Sequence, residues 1–165
     1  RRRPATHARA RRVWRRAPRD RHDRARMPAP LRTPDELIAV LHAAFPPPDP
    51  DMAIRIEDLG DATIRMRVPV GDRPLRPGDT LSGPTLFSVA DAVAWMLTLA
   101  HLEPGRDAGT SSVTMQFLLR PQPVDLVAEG RLLRMGRRLS VSDVLLYSDG
   151  AGDPVAQATV TYAPI

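Results

Sequence analysis

The chain has 165 residues, with 24 arginines, 19 acids, and neither lysine nor cysteine. That length suits one domain with a sizeable core, and the lack of cysteine excludes a disulfide scaffold, a thiolate metal site and a cysteine nucleophile. The net charge of +5 is divided unevenly: residues 1–26 carry +10, and residues 27–165 carry 12 Arg against 17 acids, or −5.

Residues 1–30 hold few large apolar side chains beyond Val13, Trp14 and Met27, too few to repay the entropy of ordering, and the segment reads as a disordered tail. Two readings of it stand. An Arg-rich arm can bind nucleic acid or an anionic membrane by releasing counterions. Alternatively, Met27 begins the natural protein and the Arg/Ala/Pro text is upstream translation. The segment lacks the apolar stretch of a secretory signal, and no apolar run of eighteen residues is free of charge, which argues against a membrane span.

Residues 31–165 read as one folded domain. Thr33-Pro34-Asp35-Glu36 predicts a capped helix start, and Leu37, Ile38, Leu41 and Phe45 follow at helical spacing until Pro46-Pro47-Pro48. Met52, Ile54 and Ile56 alternate with polar or small residues, as do Ile64, Met66 and Val68, which predicts two half-buried strands around a Gly60-Asp61 turn. A Gly/Pro-rich loop covers residues 71–82. Residues 84–101 carry one charge, Asp91, and no glycine or internal proline, the pattern of a helix buried on nearly all sides. Four extended segments follow, near 110–120, 125–135, 138–148 and 154–163. One long buried helix among many strands implies an α+β domain on an antiparallel sheet.

Asp91 stands out within that helix. Its neighbours at i−4, i−3, i+3 and i+4 are Phe87, Ser88, Ala94 and Trp95, so no intrahelical salt bridge explains it. A carboxylate there is either on an exposed stripe, capping a neighbouring loop, or a functional group in a cleft. Downstream, Ser111, Val113, Met115, Phe117 and Leu119 alternate with Thr110, Ser112, Thr114 and Gln116, which places Ser111 on the apolar, helix-facing side. A serine at a strand end can equally bond its own backbone. No His/acid spacing for a metal and no phosphate-cradling glycine loop is found.

The segment Ser82-Gly83-Pro84-Thr85-Leu86-Phe87-Ser88-Val89-Ala90-Asp91-Ala92 resembles the helix-start motif of hotdog-fold acyl-CoA thioesterases of the phenylacetate-degradation type, in the 4-hydroxybenzoyl-CoA thioesterase superfamily. Thr114-Met115-Gln116-Phe117-Leu118-Leu119-Arg120-Pro121, Asp125-Leu126-Val127-Ala128-Glu129-Gly130 and Gly136-Arg137-Arg138-Leu139 resemble its later strands, so the likeness runs over roughly 50–163. Ser82 stands where the family usually has His, Pro84 where it has a second Gly, and Arg76 where many relatives have Asn; Arg76 is given no catalytic role.

The resemblance implies a hotdog fold, an antiparallel sheet wrapped around a long central helix, and hydrolysis of an acyl-CoA thioester. It implies Asp91 as general base or nucleophile, the Gly83 N–H as oxyanion donor and Ser111 as a holder of water or thioester. Ser82 and Thr85 become substrate contacts, and Arg137 and Arg138 phosphate contacts. Ser88 is expected to bond its own backbone, and Phe87, Trp95 or Met96 to line an acyl tunnel. No cofactor and no metal is expected. Gly83 and Asp91 lie eight residues, or ~12 Å of helix rise, apart. One thioester carbonyl therefore needs Gly83 of one subunit and Asp91 of another, and a cytoplasmic homodimer, compatible with a dimer of dimers, is expected. Neither membrane nor nucleic acid is the expected partner. A non-catalytic hotdog module that binds acyl-CoA is the alternative.

Overall fold

In the computed structural model the structure describes residues 27, 29–47, 49–71 and 75–165, so the Arg-rich segment 1–26 lies outside the described residues. Helix α1 (Pro34–Ala44) starts on a closed capping box. The Thr33 hydroxyl accepts from the Glu36 N–H at 3.3 Å, and the Glu36 carboxylate accepts from the Thr33 N–H at 2.7 Å. The first strand begins later than alternation suggests. Asp49 accepts from the Asp51 N–H at 2.9 Å and closes a short 3₁₀ turn, Pro50–Met52, so β1 is Arg55–Leu59. Strand β2 (Thr63–Val68), helix α2 (Gly83–Leu99) and strands β3 (Ala108–Phe117), β4 (Leu126–Met135), β5 (Ser140–Ser148) and β6 (Ala156–Pro164) complete the order.

The six strands form one sheet in the order β1-β2-β4-β5-β6-β3, antiparallel at every junction. Helix α2 packs against β2 to β6 and buries Leu86, Val89, Ala90, Val93, Ala94, Met96, Leu97, Thr98 and Leu99. This is the sheet-on-central-helix arrangement of the hotdog fold. It closes because β4 offers a glycine at the contact: a Cβ on Gly130 would stand 2.8 Å from both Ile64 Cγ2 and Val93 Cγ1.

Polar side chains fasten the helix ends. Thr98 Oγ1 and Ser140 Oγ share a buried hydrogen bond of 2.9 Å. Buried His101, just past α2, sets its Nδ1 2.9 Å from the Leu97 carbonyl and its Nε2 2.7 Å from the Asp61 carbonyl. Arg32 donates to the Glu103 and Arg106 carbonyls at 3.1 and 3.2 Å, bracing the loop that enters β3. Met27, which the sequence places in the tail, packs against the core.

On the outer face, Arg67 bridges Glu57 at 2.5 Å and Asp149 at 2.8 Å. Its hydrogen bonds are the main reason both carboxyls lie below their ordinary range. A carboxylate whose pKa is lowered by folding stabilises above its unfolded value and loses that contribution as pH falls through the folded one. Stability of the protein should therefore drop on acidification below pH ~4, and Arg67→Gln should show a shallower drop in thermal melts taken across that range.

Gly130→Ala should destabilise by ~1–3 kcal/mol, because two β-branched side chains would have to move. A lower urea midpoint with unchanged slope would show it, and an unchanged midpoint would mean that α2 is not held at this contact.

Candidate active site

The N-terminus of α2 is built by Ser82, whose hydroxyl accepts from the Thr85 N–H at 3.2 Å. The two hydroxyls of Ser82 and Thr85 also share a 2.8 Å hydrogen bond, so both of these expected substrate contacts are engaged in the helix cap. Ser88 donates to the Pro84 carbonyl at 2.9 Å, the local bond its sequence position suggests. Gly83 opens the helix, where a backbone N–H has no intrahelical acceptor and the helix dipole is positive. A Cβ on Gly83 would stand 3.3 Å from the Phe117 ring, a close contact that this exposed ring would have to relieve by a small shift.

Beside Gly83 runs a groove of about 640 Å³, walled by Leu81, Leu86, Phe117, Leu119 and Arg76 among others. Its rim is the turn joining Arg76 to Thr80, held by the Thr80 hydroxyl on the Pro121 carbonyl at 2.7 Å and by the Arg120 guanidinium on the Gly78 carbonyl.

Asp91 lies two turns further along α2 and is half-buried. It has no ion-pair partner among the described residues. Instead its Oδ1 accepts two hydroxyl hydrogen bonds, from Thr110 of β3 at 3.0 Å and from Tyr162 of β6 at 2.7 Å. Tyr162 also reaches the Asp91 carbonyl at 3.2 Å. Thr110 and Tyr162 are register partners across the β3–β6 ladder, so one transverse row of the sheet supplies both donors. Burial, foremost, pushes the Tyr162 phenol above its ordinary range, and it stays protonated and donating. Asp91 Oδ2 accepts no hydrogen bond from the described residues.

Ser111 is placed otherwise than simple alternation predicts. The β3–β6 register shifts between Thr110 and Ser112, leaving Ser111 as the extra residue of a β-bulge, exposed and with no side-chain hydrogen bond among the described residues. The bulge reverses the parity: Val113 and Met115 face the core after it, and Thr110 faces the helix before it. Thr110 and Tyr162 are the two site residues that sequence reasoning missed. The only signal for Tyr162 was a polar-tipped aromatic ending an apolar strand.

Arg137 and Arg138 are exposed in the β4–β5 turn, around a depression of about 330 Å³ shared with Arg134 and Leu139. The turn lies just beyond the row Met135–Ser140–Tyr162–Thr110, hence on the Asp91 side of the molecule rather than beside Gly83. Met96 is fully buried in the core and cannot line a tunnel. Trp95 packs edge-on against Phe45 and donates to Asp107 at 3.0 Å, whereas Phe87 is exposed at the N-terminal half of α2. Among the described residues no three acidic or histidine side chains converge on a metal position, and no helix is long and apolar enough to cross a membrane.

A six-stranded antiparallel sheet folded on one long helix is the hotdog architecture. The profile of the acyl-CoA thioesterase N-terminal domain matches residues 83–163. A candidate thioesterase of known structure from Silicibacter sp. TM1040 is 38% identical, covering 86% of this chain and 96% of its own, with a TM-score of 0.75. A candidate thioesterase related to phenylacetic acid degradation from Ralstonia eutropha JMP134 is 26% identical over 76% of this chain and 98% of its own, with a TM-score of 0.64. A thioesterase from Haemophilus influenzae shares the fold at 16% identity, 84% and 94% coverage and a TM-score of 0.69. Comparison with curated protein sequences gives no match. The chain belongs to the acyl-CoA thioesterase family of hotdog proteins and is a thioester hydrolase.

Because the Ser82 hydroxyl caps α2, Ser82→Ala should cost ~0.5–2 kcal/mol of stability, read from urea unfolding, and Ser82→Asp should restore most of it. Equal stability of all three proteins would show that the cap bond carries nothing.

Proposed function

We propose that the protein hydrolyses an acyl-CoA thioester to the free acid and CoA, with Asp91 and Gly83 as the reacting pair. The observation that carries this reading is a helix-borne carboxylate that, among the described residues, has no cation beside it and one oxygen without a hydrogen bond. As a general base, Asp91 Oδ2 takes a proton from water while the water oxygen attacks the thioester carbonyl carbon. The carbonyl electron pair moves onto oxygen, and the Gly83 N–H with the positive end of α2 stabilises that oxyanion. Collapse expels the CoA thiolate, which takes the proton back from Asp91. As a nucleophile, Asp91 Oδ2 would attack the carbonyl carbon and break the C–S bond, releasing CoA thiolate and leaving an acyl-aspartyl anhydride that water then hydrolyses to the free acid and the Asp91 carboxylate. Ser111, exposed beside Thr110, is proposed to hold the water or thioester. Arg137 and Arg138, with their forked guanidinium donors, are proposed to meet the CoA phosphates.

The pair is proposed to lie across a dimer. Gly83 abuts Phe117 and Asp91 abuts Thr110, so the two groups sit at opposite ends of β3. Strand β3 is one edge of the sheet, paired with β6 alone among the described residues, and Phe87, Phe117, Leu118 and Leu119 are exposed nearby. A long edge strand with apolar neighbours favours pairing with another copy. Antiparallel pairing of two β3 strands about Val113 and Thr114 would set the Phe117 end of one beside the Thr110 end of the other. That brings Gly83 of one subunit toward Asp91 of its partner and makes two sites per dimer. The soluble, cytoplasmic setting in which acyl-CoA occurs is part of this proposal.

Asp91→Asn should keep the fold and acyl-CoA binding while lowering release of CoA by ~10²–10⁴-fold across an acyl-CoA panel. Full turnover by the folded variant would remove Asp91 from the mechanism, and binding without any CoA release by the natural sequence would favour a non-catalytic acyl-CoA module.

Mixing tests the shared site. Gly83→Pro removes an N–H at a helix position that tolerates proline, and each variant alone should be inactive. Random pairing of Asp91→Asn with Gly83→Pro subunits restores one intact site in half of the dimers, or roughly a quarter of the original activity. No recovery after subunit exchange would place both groups in one subunit.

A further inference from the structure

Resting on the reading of Asp91 as the reacting carboxylate, we propose that Thr110 and Tyr162 are positioning residues that clamp Asp91 Oδ1 and present Oδ2 alone to the reaction. The two hydroxyls approach the same oxygen, at 3.0 and 2.7 Å, from neighbouring strands. An aspartate can otherwise turn about two side-chain torsions: χ1 swings the whole carboxylate, and a half-turn about χ2 exchanges its oxygens. Two donors on Oδ1 remove that freedom. Tyr162 adds a second hold, at 3.2 Å, on the Asp91 carbonyl.

Tyr162 holds its side of the clamp from the core, and Thr110 holds the other from the exposed edge strand. Tyr162 is only 3% exposed, and its ring is packed in the core. Burial, foremost, raises the phenol above its ordinary range, so at neutral pH it is protonated and donates. Thr110 is aimed at the helix by the bulge at Ser111; without the extra residue, the helix-facing parity of Val113 and Met115 would pass to Ser111. The bulge thus explains why a threonine hydroxyl, rather than the adjacent serine, meets the acid. The loop before β3 is braced as well, by Arg32 on the Glu103 and Arg106 carbonyls and by Trp95 on Asp107.

The clamp leaves the negative charge in place. Neutral donors orient a carboxylate without the direct neutralisation that a guanidinium would give. Oδ2 keeps its lone pairs for a proton or for carbonyl carbon.

Tyr162→Phe and Thr110→Val keep shape and remove one hydroxyl each. Each should lower kcat ~10- to 100-fold with KM within about threefold, because the acid is misplaced rather than the substrate released. Thr110→Ser should recover most of kcat. In an Asp91→Asn background Tyr162→Phe should have no further effect, since the hydroxyl acts only through the acid. An equal loss in that background, or unchanged kcat in the folded single variants, overturns the proposal. Crystal structures give a readout independent of turnover. Asp91 should hold one conformation in the natural sequence and leave it in the Thr110→Val/Tyr162→Phe double variant; an unmoved Asp91 there overturns the clamp whatever the activity. Full turnover by Asp91→Asn, by contrast, would remove the underlying assignment of Asp91.

Discussion

A helix that is apolar on nearly every side has to be covered on nearly every side, and in this protein a single sheet does the covering. Strands β2 to β6 all touch α2. The contact is close because Gly130 has no side chain where Ile64 and Val93 converge. Once that packing is set, a buried polar group on or just past the helix must find a partner within reach. Thr98 finds Ser140, His101 finds two carbonyls, and Asp91 finds Tyr162 and Thr110. Ser140, Tyr162 and Thr110 lie in one row across three strands, so helix fastening and acid placement share one line of the sheet.

The same packing separates the two groups of α2 that are proposed to react. Gly83 is fixed by its cap and by Phe117, and Asp91 by the row at Thr110, with the length of β3 between them. A rigid helix cannot shorten the ~12 Å between its own residues. In the proposed dimer a second copy supplies the missing half to each, and the strand that joins the two positions is also an edge strand of the sheet, with β6 as its one partner among the described residues. In the proposed assembly, closing that edge and completing the site are one event.

The fold was legible because its signals are local or periodic. The Thr33 cap, the alternation in β2, the uncharged run of α2 and the turn residues between β3, β4, β5 and β6 each appear within a dozen residues of sequence. Asp91 was legible for the same reason, as a lone charge in an apolar helix. Its partners were not. Tyr162 is 71 positions away and Thr110 was assigned the wrong face, because alternation assumes an unbroken ladder and the bulge at Ser111 breaks it. The helix-start serine and threonine, expected as substrate contacts, are both engaged in the cap of α2, a local bond that a search for substrate groups does not weigh. Early closure of the Asp49–Met52 turn likewise depends on a side-chain bond that alternation does not register.

The protein treats its carboxylates in two ways, and the contrast bears on what Asp91 can do. On the outer face of the sheet Arg67 grips Glu57 and Asp149, holding both below their ordinary range and engaging their oxygens in ion pairs. Residues 27–165 contain 12 arginines, so cations were available, but no described arginine is placed on Asp91. Two hydroxyls hold it instead. A guanidinium would neutralise the charge and tend to occupy both oxygens, since its forked donors match a carboxylate. Hydroxyls on Oδ1 fix direction and leave the second oxygen with its lone pairs. Holding an acid for structure alone needs no such economy of donors; holding it as a base or nucleophile does, because the oxygen that reacts has to be aimed and unoccupied at once.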